Sequence, residues 1–212
     1  STNDKVLAMN RRGHTREDIF RSARLLKERG FETGLQMMTG LYGSNDEDSI
    51  GTARDIISLS PDTARIYPTV VIENTELAEL YRNGEYRPQT PEEAAVLCAK
   101  ILPMFERAGI KVIRLGLHSG GDVEGSFVAG AYHPALREMC EGHIYFDIIN
   151  RALSGKEKGK YIIYVAPREV SKASGQRRCN IEKLRELGYE CRIKENAALS
   201  ARDITLEKVN LL

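Results

Sequence analysis

The chain has 212 residues, and its 31 Lys and Arg balance 30 Asp and Glu to a formal net charge of +1. That length holds one large or two small domains with a sizeable core, and the near-neutral balance gives no global electrostatic footprint for nucleic acid, leaving only local patches. No apolar run approaches the ~20 residues of a membrane span and no signal-peptide pattern is seen, so neither a membrane partner nor export is expected.

The first elements come from caps and periodicity. Val6, Leu7 and Met9 suggest a short helical turn capped by Asn3 or Asp4, followed by a polar, basic loop, Asn10-Arg11-Arg12-Gly13-His14. Thr15 and Asp18 make a capping-box-like start to a helix with the apolar stripe Ile19, Ala23 and Leu26, ended by Gly30. Gly34–Thr39 is short, apolar and without charge, as a buried parallel strand is. Gln36, read as a polar group at the end of an otherwise apolar strand, shares one face with Met38. Gly40 and Gly43 then bracket a turn whose backbone can come close to a ligand, and Asn45 or Asp46 caps the helix beyond it.

A second strand, Ala64–Pro68, ends at Pro68, which has no N–H to give a ladder. Thr69–Pro88 reads as a longer excursion holding a short helix from Thr75 and a turn at Asn83-Gly84. Thr90, Pro91 and Glu93 open a strong helix that runs to Gly109, with Pro103 expected to kink it. The third strand is Val112–Leu117. Alternation of this kind predicts an α/β fold: a parallel sheet with helices outside and the three strands adjacent in chain order.

Beyond it, residues 118–130 form a glycine-rich connector or substrate-facing loop. A helix from Pro134 to Leu153, a charged linker, a strand at Tyr161–Ala166, one or two helices between Arg168 and Leu187, and strands at Tyr189–Lys194 and Ile204–Val209 complete the chain. The expected organisation is residues 1–120 as one unit, 121–159 as connector loop and helix, and 160–212 as a small α/β extension.

Several residues invite a chemical reading beside a plain one. Arg12 is either a solvated loop arginine or a fork for a carboxylate or phosphate. Tyr67 shares a face with Arg65 and is either a core aromatic or a stacking surface at a strand's carboxyl end. Arg114 is a charge within an apolar run, which calls for an interior partner or an anionic ligand. His14, His118, His133 and His143 lie far apart without metal spacing, and Gly120-Gly121 lacks the strand–turn–helix context of a phosphate loop. Cys98, Cys140, Cys179 and Cys191 are scattered without a CxxC pair, so no metal site is expected and reduced thiols of a cytoplasmic protein are. Lys172, Arg177, Arg178, Lys183 and Arg185 make the last segment locally basic, either a solvated helix face or an RNA-backbone contact.

A family resemblance is carried by Asp4-Lys5-Val6-Leu7, Asn10-Arg11-Arg12-Gly13-His14, Gly34-Leu35-Gln36-Met37-Met38-Thr39-Gly40-Leu41-Tyr42-Gly43, Arg65-Ile66-Tyr67-Pro68, Asn74-Thr75-Glu76-Leu77 and Gly84-Glu85-Tyr86, in that order. Together they resemble the later part of a radical S-adenosylmethionine enzyme, closest to the elongator catalytic subunit and its short bacterial relatives, more distantly oxygen-independent coproporphyrinogen III oxidases. The resemblance implies the later strands of a partial (βα) barrel followed by a small α/β C-terminal unit. It implies that Arg12 meets the methionyl carboxylate of S-adenosylmethionine, that Gln36 faces the cofactor, and that Met38, Gly40, Leu41, Tyr67 and Pro68 lie near the adenine. Arg114 and His118 fall on the substrate side. The family's CxxxCxxC motif for a [4Fe-4S] cluster is absent, and the chain begins Ser1-Thr2 without Met, so a fragment of a longer enzyme is expected, inactive and cofactor-free alone. Removal of a neighbouring strand predicts that this fragment self-associates. The alternative function is a non-catalytic RNA- or protein-binding module using the basic last segment.

Overall fold

A computed structural model describes residues 1–117 and 125–209. The chain divides into two compact units, the first ending at Leu136 and the second starting at Arg137. His118 and the Gly120-Gly121 pair lie outside the described residues.

In the first unit, side-chain caps set the helix starts. Helix α1 (Asp4–Met9) begins where the Asn3 side chain accepts hydrogen bonds from the backbone N–H groups of Lys5 and Val6. Full capping boxes start α2 (Arg16–Glu28) at Thr15 and Asp18, and α3 (Asp46–Ser58) at Asn45 and Asp48. Between them lies strand β1 (Gly34–Thr39), and after α3 come β2 (Thr63–Pro68) and a short β3 (Val70–Ile72). Helix α4 (Glu76–Arg82) is capped by Thr75, and α5 (Pro91–Arg107) by the Thr90–Glu93 box, with Pro103 inside it. Strands β4 (Lys111–Leu115) and β5 (Phe127–Gly130) follow.

The three expected strands form a parallel sheet in the order β1-β2-β4. The third is one residue longer at its start and two shorter at its end than expected. Gly116 still donates its N–H to the Ile66 carbonyl at 3.0 Å, but its φ of +91° lies outside the extended range and ends the strand there. One side of the sheet is covered by helices. Leu97, Cys98, Ile101, Leu102 and Phe105 recur at helical spacing along α5 and are almost wholly buried, as are Ala53 of α3 and Met37, Ala64 and Ile66 of the strands. Each large apolar side chain removed from water there is worth about 1.5–3 kcal/mol.

A feature absent from the sequence reading is the antiparallel ribbon of β3 and β5, which pairs Val70 with Gly130. The expected excursion and connector therefore each contribute a strand. Gly130 permits the close approach: a Cβ there would lie 3.0 Å from the Thr69 carbonyl oxygen.

The second unit comprises α6 (Leu136–Leu153), β6 (Gly159–Val165), α7 (Val170–Ser174), a 3₁₀ turn at Gln176–Arg178, α8 (Cys179–Glu186), β7 (Tyr189–Glu195) and β8 (Ile204–Lys208). Central strand β6 pairs parallel with β7 and antiparallel with β8. Tyr145, Ile149 and Leu153 of α6 pack on Ile163, Val165 and Leu184. Within this core the Tyr145 hydroxyl donates to Glu169 Oε2 at 2.8 Å and accepts the backbone N–H of Arg202 at 3.1 Å.

Candidate functional site

The first unit's sheet has an open side opposite its helices. In parallel strands, residues in register share a face, so the pairings Gln36↔Arg65, Met38↔Tyr67 and Arg65↔Arg114 put these five side chains on one surface. Gln36 is exposed, and Met38, Arg65, Tyr67 and Arg114 are half-buried. Their neighbours along the strands, Met37, Ala64, Ile66 and Leu115, point to the helix side and are buried.

Arg114 reaches this surface because of a bulge. Ala64 pairs with Val112, but the next residue, Arg65, pairs with Arg114, so Ile113 is an extra residue in β4. Without this bulge, in a regular strand, Arg114 would share the face of Val112, in the apolar layer under α5. With it, the arginine turns to the open side and Leu115 returns to the core beside Ile66. The expected charge inside an apolar run is thus resolved by local geometry and not by an interior partner. Among the described residues neither Arg65 nor Arg114 makes a side-chain hydrogen bond or ion pair.

Arg12 joins this surface from the loop after α1. Its Nη2 donates to Met38 Sδ at 3.1 Å. Two contacts hold that loop. Asn10 Nδ2 donates to the carbonyl oxygens of Val6 at 2.7 Å and Tyr42 at 2.8 Å, tying α1 to the turn after β1. Met9 lies against Gly43, where φ is +73° and a Cβ would stand 2.5 Å from its Sδ. The turn is fixed from the other side by Tyr86, whose hydroxyl donates to the Gly40 carbonyl at 2.6 Å and whose ring meets Tyr42 edge-on at 6.1 Å between centroids. Burial pushes the Tyr86 hydroxyl up to about 12, so it remains a donor at neutral pH. This turn also borders a cavity of about 580 Å³ lined by Tyr42, Asn45, Tyr86, Arg87, Gln89 and Glu92 among others.

The expected site residues are therefore only partly brought together. Arg12, Gln36, Met38 and Tyr67 share the open surface, with Met38 and Tyr67 toward the carboxyl ends of their strands and Gln36 at mid-strand, not at the end. Gly40 follows directly in the turn. Leu41 and Pro68 are buried, and Pro68 pairs with Thr39 on the opposite face. Two residues outside the expected set belong to the surface: Arg65, between Gln36 and Arg114, and Lys111, opposite Thr63. The signal for Arg65 was its period-two spacing from Tyr67.

For metals, no group of three or more His, Cys, Asp or Glu among the described residues could hold an ion. All four cysteines are free. Burial pushes the thiols of Cys98 and Cys191 up to about 12 and about 11, keeping them protonated and poor as ligands.

Comparison with known proteins gives a consistent set of relatives. Residues 61–145 match the family described as the Radical_SAM C-terminal domain. A tRNA uridine(34) acetyltransferase of Methanocaldococcus jannaschii is 36% identical over 110 residues, which cover 49% of this chain and 20% of that protein. Human Elongator complex protein 3 is 32% identical over 113 residues, covering 49% of this chain and 20% of the human protein. The chain thus spans about a fifth of the length of these relatives. Among solved structures, the archaeal Methanocaldococcus infernus Elp3 with an N-terminal deletion superposes with a TM-score of 0.55 at 25% identity, over 69% of this chain and 38% of that one.

Proposed function

From a chain that matches the Radical_SAM C-terminal domain over residues 61–145 and is related, over part of its length, to Elp3 and tRNA uridine(34) acetyltransferases, we propose that it supplies the later strands and cofactor-positioning residues of a radical S-adenosylmethionine enzyme. In this reading the sheet β1-β2-β4 is a sector of a (βα) barrel, and its open side is the barrel interior.

The observation that carries the proposal is the Arg12 guanidinium lying on Met38, next to Tyr67. A thioether is a weak acceptor, so the fork is left for a stronger anion. These residues fit S-adenosylmethionine. Arg12 would take the methionyl carboxylate, Gln36 would hydrogen-bond to the polar edge, and Met38 and Tyr67 would flank the adenine, with the Gly40–Leu41 turn closing that end. The cofactor supplies the reactive group when bound. The chain's own residues bind and orient it and exclude water around it.

The described residues do not fit a [4Fe-4S] cluster. The CxxxCxxC motif is absent and no three ligands converge. In this proposal the cluster is held by protein segments other than those described, and no step is assigned to this chain through it. The relatives' name points to an RNA uridine as the substrate class for the open surface. The four free thiols support a reducing, cytoplasmic setting.

Titration calorimetry of S-adenosylmethionine into the complete enzyme, with native Arg12 and with Arg12→Ala, tests this. The variant should bind more weakly by about 1.5–3 kcal/mol, the scale of a hydrogen bond to a charged group. Equal affinity returns Arg12 to a solvated loop residue and removes the proposal's support.

A further inference from the structure

The open surface carries more positive charge than one cofactor carboxylate needs. Arg65 and Arg114 stand opposite one another on adjacent strands, on the same face. Lys111 lies on that face as well, opposite Thr63. Strands β1, β2 and β4 contain no Asp or Glu in the residues Gly34–Thr39, Thr63–Pro68 and Lys111–Leu115. Like charges directly opposite across a ladder destabilise a sheet. Both arginines are half-buried, where screening by water is weaker than at a free surface. Neither has a described carboxylate, carbonyl or hydroxyl partner to relieve the repulsion.

The strand also goes out of its way to create this pair. A regular β4 would send Arg114 to the helix side. The extra Ile113, itself exposed, re-aims the arginine onto the open side next to Arg65. Gly34, one strand over and two residues before Gln36, keeps the neighbouring space clear: a Cβ there would stand 4.0 Å from Arg65 Nη1 and 2.9 Å from Thr63 Oγ1.

We infer that Arg65 and Arg114 form a cradle for a phosphate-class oxyanion, distinct from the anchor at Arg12. Two planar forks from adjacent strands suit a group with three or more acceptor oxygens, whereas a carboxylate is satisfied by one fork. The phosphate comes either from a small phosphate ester or from an RNA phosphodiester. The inference does not depend on the cofactor reading, because it uses neither Arg12 nor S-adenosylmethionine, and it stands if Arg12→Ala leaves cofactor affinity unchanged.

The test uses the native chain, Arg65→Gln, Arg114→Gln and the double variant, with thermal melting in inorganic phosphate against sodium chloride of matched ionic strength. Phosphate should raise the melting temperature of the native chain, and each single variant should weaken the apparent affinity about tenfold, as loss of one charged hydrogen-bonding group does. Without phosphate the single variants should melt at or above the native temperature, since each removes a like-charge repulsion. A purely structural arginine would do the opposite and lower it. Malonate, a dicarboxylate, should give a smaller shift than phosphate. A fluorescent RNA dodecamer without a terminal phosphate separates the sources. If the phosphodiester is the ligand, each variant lowers the salt dependence of RNA binding by about one counterion. If a small ester is the ligand, RNA binding is unchanged while the phosphate response is lost. A phosphate response that survives in the double variant overturns the inference, as does a phosphate-free melting temperature that falls in both single variants.

Discussion

Replacing Tyr145 by Phe isolates the polar centre of the second unit. The side chain is wholly buried, and its hydroxyl both donates to Glu169 at 2.8 Å and accepts the Arg202 N–H at 3.1 Å. Phe keeps the ring packing and removes both bonds. Glu169 retains Lys172, whose Nζ is 2.7 Å away, so its charge is not stranded. The Arg202 N–H loses the tyrosine oxygen and the Glu169 carboxylate loses one donor. A hydrogen bond to a charged group is worth about 1.5–3 kcal/mol, and the second, neutral bond adds about 0.5–1.5 kcal/mol at most. The expected destabilisation is about 2–3 kcal/mol, read from urea unfolding followed by near-ultraviolet circular dichroism. The pH dependence follows from the carboxyl. Burial pushes Glu169 up, but the hydrogen bonds from Lys172 and Tyr145 outweigh it and hold it below its ordinary range. A depressed carboxyl contributes stability above its unfolded pKa and loses it as pH falls through the folded value. The gap between native chain and Tyr145→Phe should therefore be full at neutral pH and narrow below the ordinary glutamate range. Burial, and then the Glu169 carboxylate, keep the tyrosine protonated far above neutral pH, so the hydroxyl itself does not titrate in this window. A loss under about 0.5 kcal/mol at pH 7 would refute the reasoning.

Gly43→Ala should cost about 1–3 kcal/mol in chemical denaturation, because φ there is +73° and the new methyl would meet Met9; an unchanged midpoint would mean the turn and α1 are not coupled. Strand β1 has a strand neighbour on one side only among the described residues, and its sequence GLQMMT carries no charge to guard the free edge, so the chain should self-associate. Light scattering over a range of concentrations checks this, with Gln36→Lys expected to favour the monomer; a monomeric native chain at every concentration refutes it. Anaerobic incubation with iron and sulfide should give no visible charge-transfer absorbance, and a stable stoichiometric cluster would show that ligands had been overlooked.

The parts of the fold legible in the sequence are those set by local chemistry. Thr15 with Asp18, Asn45 with Asp48 and Thr90 with Glu93 mark helix starts that the structure reproduces as capping boxes. The charge-free run Gly34–Thr39 and the Pro68 stop gave the first two parallel strands. The β3–β5 ribbon was not legible, because Val70–Ile72 is only three residues long and its partner lies far along the chain. Loop closure over such a distance leaves no periodic trace at either end.

The site shows the same division more sharply. A period-two reading puts Val112 and Arg114 on one face, and Val112 is core, so the arginine looked like a charge forced into an apolar layer. A bulge is a matter of pairing between strands, and the residues of β4 alone do not reveal which one is extra. Once the register is known, the conflict between charge and core disappears, and Arg114 stands next to Arg65. The sequence rule thus failed at the point where the strand departs from regularity to change what a side chain faces. The bulge takes the Arg114 charge out of the apolar layer, and the position it gives that charge, beside Arg65, is the feature on which the phosphate cradle is inferred. Local rules are broken most informatively where a functional surface is being shaped.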